Sequence, residues 1–416
     1  MSIISKLVAE EILDSRGNPT IFVSCTLQNG VLGTASVPSG ASTGKHEAYE
    51  LRDNDIKRYS GKGVLQAVKN INEEISKFLL GKEFNQNTLD ESLIKLDGTK
   101  NKKRLGANAI LAVSIAFVRA CANEQGIQLY EHLANLYFEN RDVHIYKIPQ
   151  PAFNIINGGK HSDSGLSFQE FMIIPKKFKT IKEKVNVAHN IIISLKNLLL
   201  KDKQIITMGD EGGFAPKLSP NEKALDYLEM AISDAGYDTN QVKLGLDVAA
   251  TTFFKNGRYF FEDKILGTEE MITMYEELCT RHKIVSIEDG LNEEDFKGFA
   301  EMNRRLGGQI NIVGDDLTVT NVELIKKAIK NKSINTLLIK PNQIGTLSET
   351  FQAIKIAKEN KINIFISHRS GETEDTFIAD LAIAVGTDFI KAGAPTKKER
   401  TVKYSRLIEI EDHIIK

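Results

Sequence analysis

The sequence predicts an α/β protein, with a barrel of βα units in its C-terminal part and a smaller α+β unit before it. Three observations predict this class. From Lys243 to Pro395, one short apolar run after another ends in a charged or polar residue. Near-continuous Val, Ile and Leu runs of this length read as strands buried on both faces. The stretches between them keep a helical period, which is the alternation of a parallel sheet. Before residue 139 the order differs, with a strand meander followed by helices. The predicted division is therefore an α+β unit over 1–138 and a barrel over 139–416, parted at the charged stretch around Glu139-Asn140-Arg141-Asp142.

Thr20–Leu27 is β-branched and aromatic, Gln28-Asn29-Gly30 is a hairpin turn, and Val31–Val37 is the return strand. A loop of small residues, Pro38–Gly44, follows; its glycines permit unusual dihedrals and leave its tip free to move. From Gly63 the period turns helical through Val64, Val68, Ile71 and Ile75, and the Ala-rich stretch Leu105–Ala122 predicts a long buried helix. In the second unit, Pro151–Ile156 and Glu170–Ile174 are apolar runs around the loop Asn157-Gly158-Gly159-Lys160-His161. Val185–Leu200 is helical, and Ile205–Met208 leads into Gly209-Asp210-Glu211-Gly212-Gly213. Ser219, Thr320 and Thr346 each precede a Glu by three residues, the pattern of a capping box at a helix start. Asn256-Gly257, between aromatic runs, is a two-residue hairpin turn.

Composition narrows the class. The chain has 416 residues, of which 41% are hydrophobic and 26% charged, with a formal net charge of −1. Acidic and basic residues are interleaved, so no concentrated basic face points to nucleic acid. Cys25, Cys121 and Cys279 are distant and odd in number, which argues against a disulfide framework or a zinc site. The first residues carry charges and no apolar core of a secretory signal. Leu105–Ala122 contains Asn108 and Arg119 and reads as a core helix, not a membrane span. A cytoplasmic location is expected.

The strand ends carry the chemistry. Apolar runs end successively in Asp247, Glu288, Asp315, Lys340, His368-Arg369-Ser370 and Lys391. From Glu288 onward the spacings are 27, 25, 28 and 23 residues, each suited to one strand plus one helix. In a barrel these ends converge on one mouth, where active sites lie. Three converging carboxylates need a cation, and all-oxygen ligands favour a hard one such as Mg²⁺. The cations that follow suit a small, multiply anionic substrate. Arg369 with Ser370 could hold a phosphate, and a lysine among cations is kept partly deprotonated, as a base requires. Glu211 and Glu170, on loops of earlier strands, are candidate acids, because a carboxyl among carboxylates tends to hold its proton. Taken singly, each of these residues reads as a cap, a salt bridge or a solvated charge. The ordered series is what favours a site, since charges aimed together into a barrel mouth are costly to bury.

The chain resembles the enolase family over nearly its full length. The matching segments include LDSRGNPT from Leu13, VPSGASTG from Val37, LGANAILA from Leu105, NIINGG from Asn154, QEFM from Gln169, GDEGGFAP from Gly209, SIEDG from Ser286, VGDDL from Val313, KPNQIGT from Lys340 and SHRSGETEDTFIADL from Ser367. The resemblance implies a small α+β domain capping an (α/β)₈ barrel with an irregular ββαα start. It implies the reversible dehydration of 2-phosphoglycerate to phosphoenolpyruvate in glycolysis, with a Lys or His base and Mg²⁺ as is general for enolase-superfamily sites. Carried over by motif, Asp247, Glu288 and Asp315 would hold the first Mg²⁺, and Ser42 a second that arrives with substrate. Lys340 would remove the C2 proton, and Glu211, assisted by Glu170, would protonate the leaving hydroxide. Arg369 and Ser370 would hold the phosphate and Lys391 the carboxylate, with Gln169 and His368 also in the substrate site and His161 closing over it. A homodimer or higher homo-oligomer is implied. So is binding of plasminogen at the cell surface through lysines, here Lys416, reached without a signal peptide.

Three positions depart from the family pattern. Lys160 stands where a small residue is usual, Phe22 where an acidic residue commonly serves an intersubunit ion pair, and Ala392 follows Lys391. The sequence also admits two other functions: a superfamily member acting on an unphosphorylated acid, and a non-catalytic surface receptor. Arg369-Ser370 argues against the first, because a phosphate grip is useless to a substrate without phosphate.

Overall fold

A computed structural model describes residues 1–41, 44–139, 146–162, 164–204 and 206–415. The N-terminal part opens with the antiparallel meander β1 (Ser2–Leu13), β2 (Pro19–Leu27) and β3 (Leu32–Ser36), joined at its edge by the short β4 (Glu83–Phe84) in the order β3-β2-β1-β4. Burial alternates along β2, with Ile21, Val23, Cys25 and Leu27 inward, as expected for a sheet covered on one face. The predicted period from Val64 forms α1 (Leu65–Asn70), a π turn and α2 (Ser76–Leu79). Then come α3 (Gln86–Asp97), α4 (Ala107–Gln125) and α5 (Leu129–Tyr137). The Ala-rich α4 is buried around most of its circumference and lies directly on the sheet. Gly33 makes this approach possible: a Cβ there would stand 2.2 Å from the Ala116 carbonyl oxygen and the Ala120 nitrogen.

The second part begins with β5 (Gln150–Asn157), β6 (Glu170–Pro175), α6 (Ile181–Lys201) and α7 (Glu222–Asp234), the expected irregular ββαα start. After β7 (Val242–Asp247) a small sheet of β8 (Phe254–Lys255), β9 (Arg258–Phe261) and β10 (Lys264–Leu266) turns at Asn256-Gly257, both with positive φ. Regular βα units follow: α8 (Thr268–Arg281), β11 (Ile284–Glu288), α9 (Phe296–Leu306), β12 (Asn311–Gly314), α10 (Val322–Asn331), β13 (Thr336–Ile339), α11 (Pro341–Ile344), α12 (Leu347–Glu359), β14 (Asn363–Ser367), α13 (Phe377–Ala384), β15 (Phe389–Lys391) and α14 (Lys398–Ile415). The barrel closes in the order β11-β12-β13-β14-β15-β5-β6-β7. Only β6 runs antiparallel to both neighbours. Ala152, Met172, Ile174, Val313, Leu338 and Phe365 fill the lumen, while alternate residues such as Leu244, Ile312, Leu337 and Ile364 pack outward into the main core. Burial on both faces is why these strands read as unbroken apolar runs.

None of the three expected capping boxes forms in full, and only one of the predicted caps does. Thr346 caps α12 as predicted, accepting from the Glu349 N–H at 3.2 Å. The cap of α10 is Asn321, whose side chain accepts from the Glu323 and Leu324 N–H groups, because Thr320 turns its hydroxyl to Gln343. At α7 the helix starts at Glu222, and the preceding Asn221 spends its side chain on Phe168 and Glu262. The predicted boundary falls at residues of which 140–145 lie outside the described ones, as do Ser42 and Lys416.

Candidate active site

Strand register brings the predicted residues to one end of the barrel. Asp247 pairs with Glu288 across β7 and β11, and Ser367 with Lys391 across β14 and β15. Glu170 is the first residue of β6, yet it reaches the same end: the strand is antiparallel, so Glu170 stands opposite Asp247 on one side and Asn157 on the other. Asp315 and Lys340 follow the last residues of β12 and β13. A small cleft is lined by His161, Gln169, Glu170, Glu211, Asp247, Lys340, Ser367, His368, Arg369, Ser370 and Lys391. Larger grooves exist on the outside, such as that between α6 and α14, but they carry none of these strand-end residues.

Lysines neutralise the acid side. Lys391 Nζ lies 2.7 Å from Glu288 Oε2, 3.2 Å from Glu170 Oε2 and 3.3 Å from Asp247 Oδ2. Lys340 Nζ makes a short contact with Asp315 Oδ2. Burial alone would lower both lysine pKa values, but the carboxylates outweigh it and raise them. A lysine made basic-ready by neighbouring cations was expected; Lys340 is instead held protonated by Asp315, with Arg369 and Lys391 opposing. Burial and neighbouring acids push Glu288 well above the usual carboxylate range.

The second acid cluster joins His161, Glu170 and Glu211, which bring ligand-type atoms within 4.8 Å of one another. The two carboxyls are driven apart. Burial, the Glu211 charge and other acids raise Glu170 well above its ordinary value. Glu211 is opposed by burial but held well below it, chiefly by His368 and His161, and it accepts from Asn154 Nδ2 at 2.9 Å. Both are expected from the sequence to hold a proton; the surroundings favour it on Glu170 and oppose it on Glu211.

The anion side is built across the two parts of the chain. Arg369 donates to Glu47 at 2.9 Å and to Asn342 at 3.1 Å, and Ser370 Oγ accepts from the Ala41 N–H at 2.7 Å. Ser39 and Gly371 form a backbone bridge beside them. Several supporting residues lie outside the series predicted from the sequence. Asn154 is the lone polar residue in the interior of β5, a signal that was available. Gln343 donates to Asp315 Oδ1 at 2.9 Å. Asp289, second in an acid doublet, accepts from the Asp315 and Asp316 N–H groups at 3.0 and 2.8 Å and so fixes the loop that presents Asp315.

The donor set suits a hard cation. Asp247, Glu288 and Asp315 offer buried carboxylate oxygens that could hold one, and Glu288 Oε1 is buried without a hydrogen-bond partner among the described residues.

Family models match both parts of the chain: an enolase N-terminal domain over residues 4–133 and an enolase C-terminal TIM barrel domain over 145–416. The chain belongs to the enolase family. It is 49% identical over 412 residues to the enolases of Campylobacter lari strain RM2100 and Campylobacter jejuni strain RM1221, covering 99% of this chain and 97% of each relative. With enolase membership comes the activity of a phosphopyruvate hydratase, a lyase that acts on a small molecule and uses a divalent metal. The enolase C-terminal domain match spans every strand-end residue in the cavity, from His161 to Lys391. No single described helix is long and apolar enough to cross a membrane.

Proposed function

We propose that Lys340 removes the C2 proton of 2-phosphoglycerate and that the Glu211–Glu170 pair protonates the departing hydroxyl, giving phosphoenolpyruvate. The observation that carries this is one cavity lined by a buried lysine, a split carboxyl pair and the Arg369-Ser370 doublet. The C2 proton is weakly acidic because its loss puts a second charge on the adjacent carboxylate, so fixed cations there lower the barrier. Lys391 supplies such a charge from within the cavity. Asp247, Glu288 and Asp315 would hold a divalent cation, Mg²⁺ in this reading, whose charge would stabilise that carboxylate; Asp315, engaged there, would no longer hold the proton on Lys340. Glu170 holds the resting proton, and passing it to Glu211 within the same cluster arms the acid. Gln169, His368 and Lys391 orient the substrate, Arg369 and Ser370 grip its phosphate, and His161 closes over it. Ser42 would help hold a second Mg²⁺ that comes with substrate. The unit 1–138 acts as the cap and 139–416 as the catalytic barrel, and the chain assembles at least as a homodimer.

Purified protein supplied with Mg²⁺ and 2-phosphoglycerate is expected to show the rise in absorbance of phosphoenolpyruvate; no rise would refute the reaction. Lys340→Ala is expected to lose exchange of the C2 proton with solvent, whereas Glu211→Gln keeps exchange and loses dehydration. Loss of exchange in both would overturn the division between base and acid.

A further inference from the structure

The strand-end series leaves a fully buried guanidinium unused. Arg400, in the first turn of α14, is completely shielded from solvent. Its nearest carboxylate, Glu399, stands 3.7 Å from Nε. Its contacts lie in the active-site loops instead. Nη1 is 2.5 Å from His368 Nδ1 and donates to the Arg369 carbonyl at 2.7 Å. Nη2 donates to the Ser370 carbonyl at 2.6 Å and to the Asp210 carbonyl at 3.2 Å. A buried guanidinium is costly unless its donors are used.

A guanidinium has donors and no acceptor. At 2.5 Å, His368 Nδ1 must therefore be the acceptor, and the neutral ring carries its proton on Nε2. That atom lies 3.3 Å from Glu211 Oε2, buried and short of a well-angled hydrogen bond. We propose that Arg400 is a positioning residue that holds His368 in the Nε2–H tautomer and so aims a neutral N–H donor at the acid Glu211. The inference rests on the proposed role of Glu211.

Two further observations agree. Gly393 lies where Arg400, His368 and Glu211 meet: a Cβ there would stand 2.7 Å from the Glu211 carbonyl oxygen, 3.0 Å from Arg400 Cδ and 3.1 Å from His368 Cε1. Its φ of +77° also favours glycine. The segment leading into α14 grips the same loop, with Ala394 N–H donating to the Glu211 carbonyl at 3.0 Å, Thr396 to Gly212 at 2.7 Å and Lys397 to Gly209 at 3.0 Å. The charged groups facing the ring are Glu211, Arg400 and Lys391, with His161 on the other side of Glu211. Burial, then Arg400 against the pull of Glu211, holds the ring down to about 3, so it acts as a donor and not as a charge.

The test is nitrogen NMR of ¹⁵N-histidine-labelled protein, paired with steady-state kinetics, on wild type, Arg400→Met and Arg400→Lys. Wild type is expected to show His368 as the Nε2–H tautomer through the working pH range. Arg400→Met is expected to lose that single tautomer and to gain an acid-limb inflection from the freed ring. Its kcat should fall about ten- to a hundredfold, the usual effect of losing an orienting partner, with KM little changed. Arg400→Lys keeps the charge and decides the matter if Arg400→Met does not fold; one ammonium cannot serve Nδ1 and three carbonyls, so partial loss of both signals is expected. A folded variant with the wild-type tautomer and kcat overturns the inference. The tautomer signal needs no turnover, so failure of the proposed reaction would leave the role of Arg400 separately decided.

Discussion

Arg369 and Glu47 join the two parts of the chain at the active site, with Arg369 Nη1 2.9 Å from Glu47 Oε2 and both side chains almost fully buried. The residue expected to grip phosphate is thus held in place by a carboxylate 322 residues away in sequence. Removing one partner of a buried pair leaves the other charge desolvated.

Glu47→Ala is therefore expected to lower stability by on the order of 3 kcal/mol. Urea unfolding monitored by circular dichroism measures this. A midpoint equal to wild type would show that the pair contributes nothing net.

Metal removal should separate activity from folding. Lys391 and Lys340 already face Glu288, Asp247 and Asp315, so the carboxylates are neutralised by the chain itself. EDTA is expected to abolish turnover while leaving the far-ultraviolet spectrum and melting temperature within a few degrees of their starting values, and excess Mg²⁺ should restore turnover. Unfolding by EDTA would contradict this.

His132 gives the chain an acid-sensitive point far from the site. Burial pushes its ring down to about 4. The unfolded ring titrates near its ordinary value, so the native state binds fewer protons between the two values. Stability from the neutral ring is complete above about pH 6.5 and is lost as pH falls towards 4, by about 1.4 kcal/mol per pH unit. The difference in unfolding free energy between pH 7 and pH 4.5 should be smaller in His132→Gln than in wild type; an equal difference would refute the assignment.

Gly33→Ala tests the contact of α4 with the meander. The added Cβ meets backbone atoms of Ala116 and Ala120 at 2.2 Å, with no flexible side chain to give way. A loss of about 3 kcal/mol or more is expected, since overpacking shifts backbone. A melting temperature within a degree of wild type would mean the helix can simply move.

The amino-acid sequence by itself determined the order and type of the barrel elements, because strands buried on both faces must be apolar throughout and helices between them must be amphipathic. It also determined which residues end those strands, since each charge interrupts an apolar run. Local signals sufficed for the Asn256-Gly257 turn and for the Thr346 cap. They failed at Thr320, whose hydroxyl turns to Gln343, and at Ser219, where the helix starts only at Glu222 after Asn221. Only the tertiary structure decided how the charges are paired. Whether Lys340 is protonated depends on Asp315, one strand away. Which carboxyl of Glu170 and Glu211 holds the proton depends on two histidines from separate loops. The supports Glu47, Asp289 and Arg400 carry no local pattern, because a hydrogen bond between distant segments leaves no period in the sequence. Burial makes them matter: in a low-dielectric site, the partner a charge finds decides its state more than the residue type does.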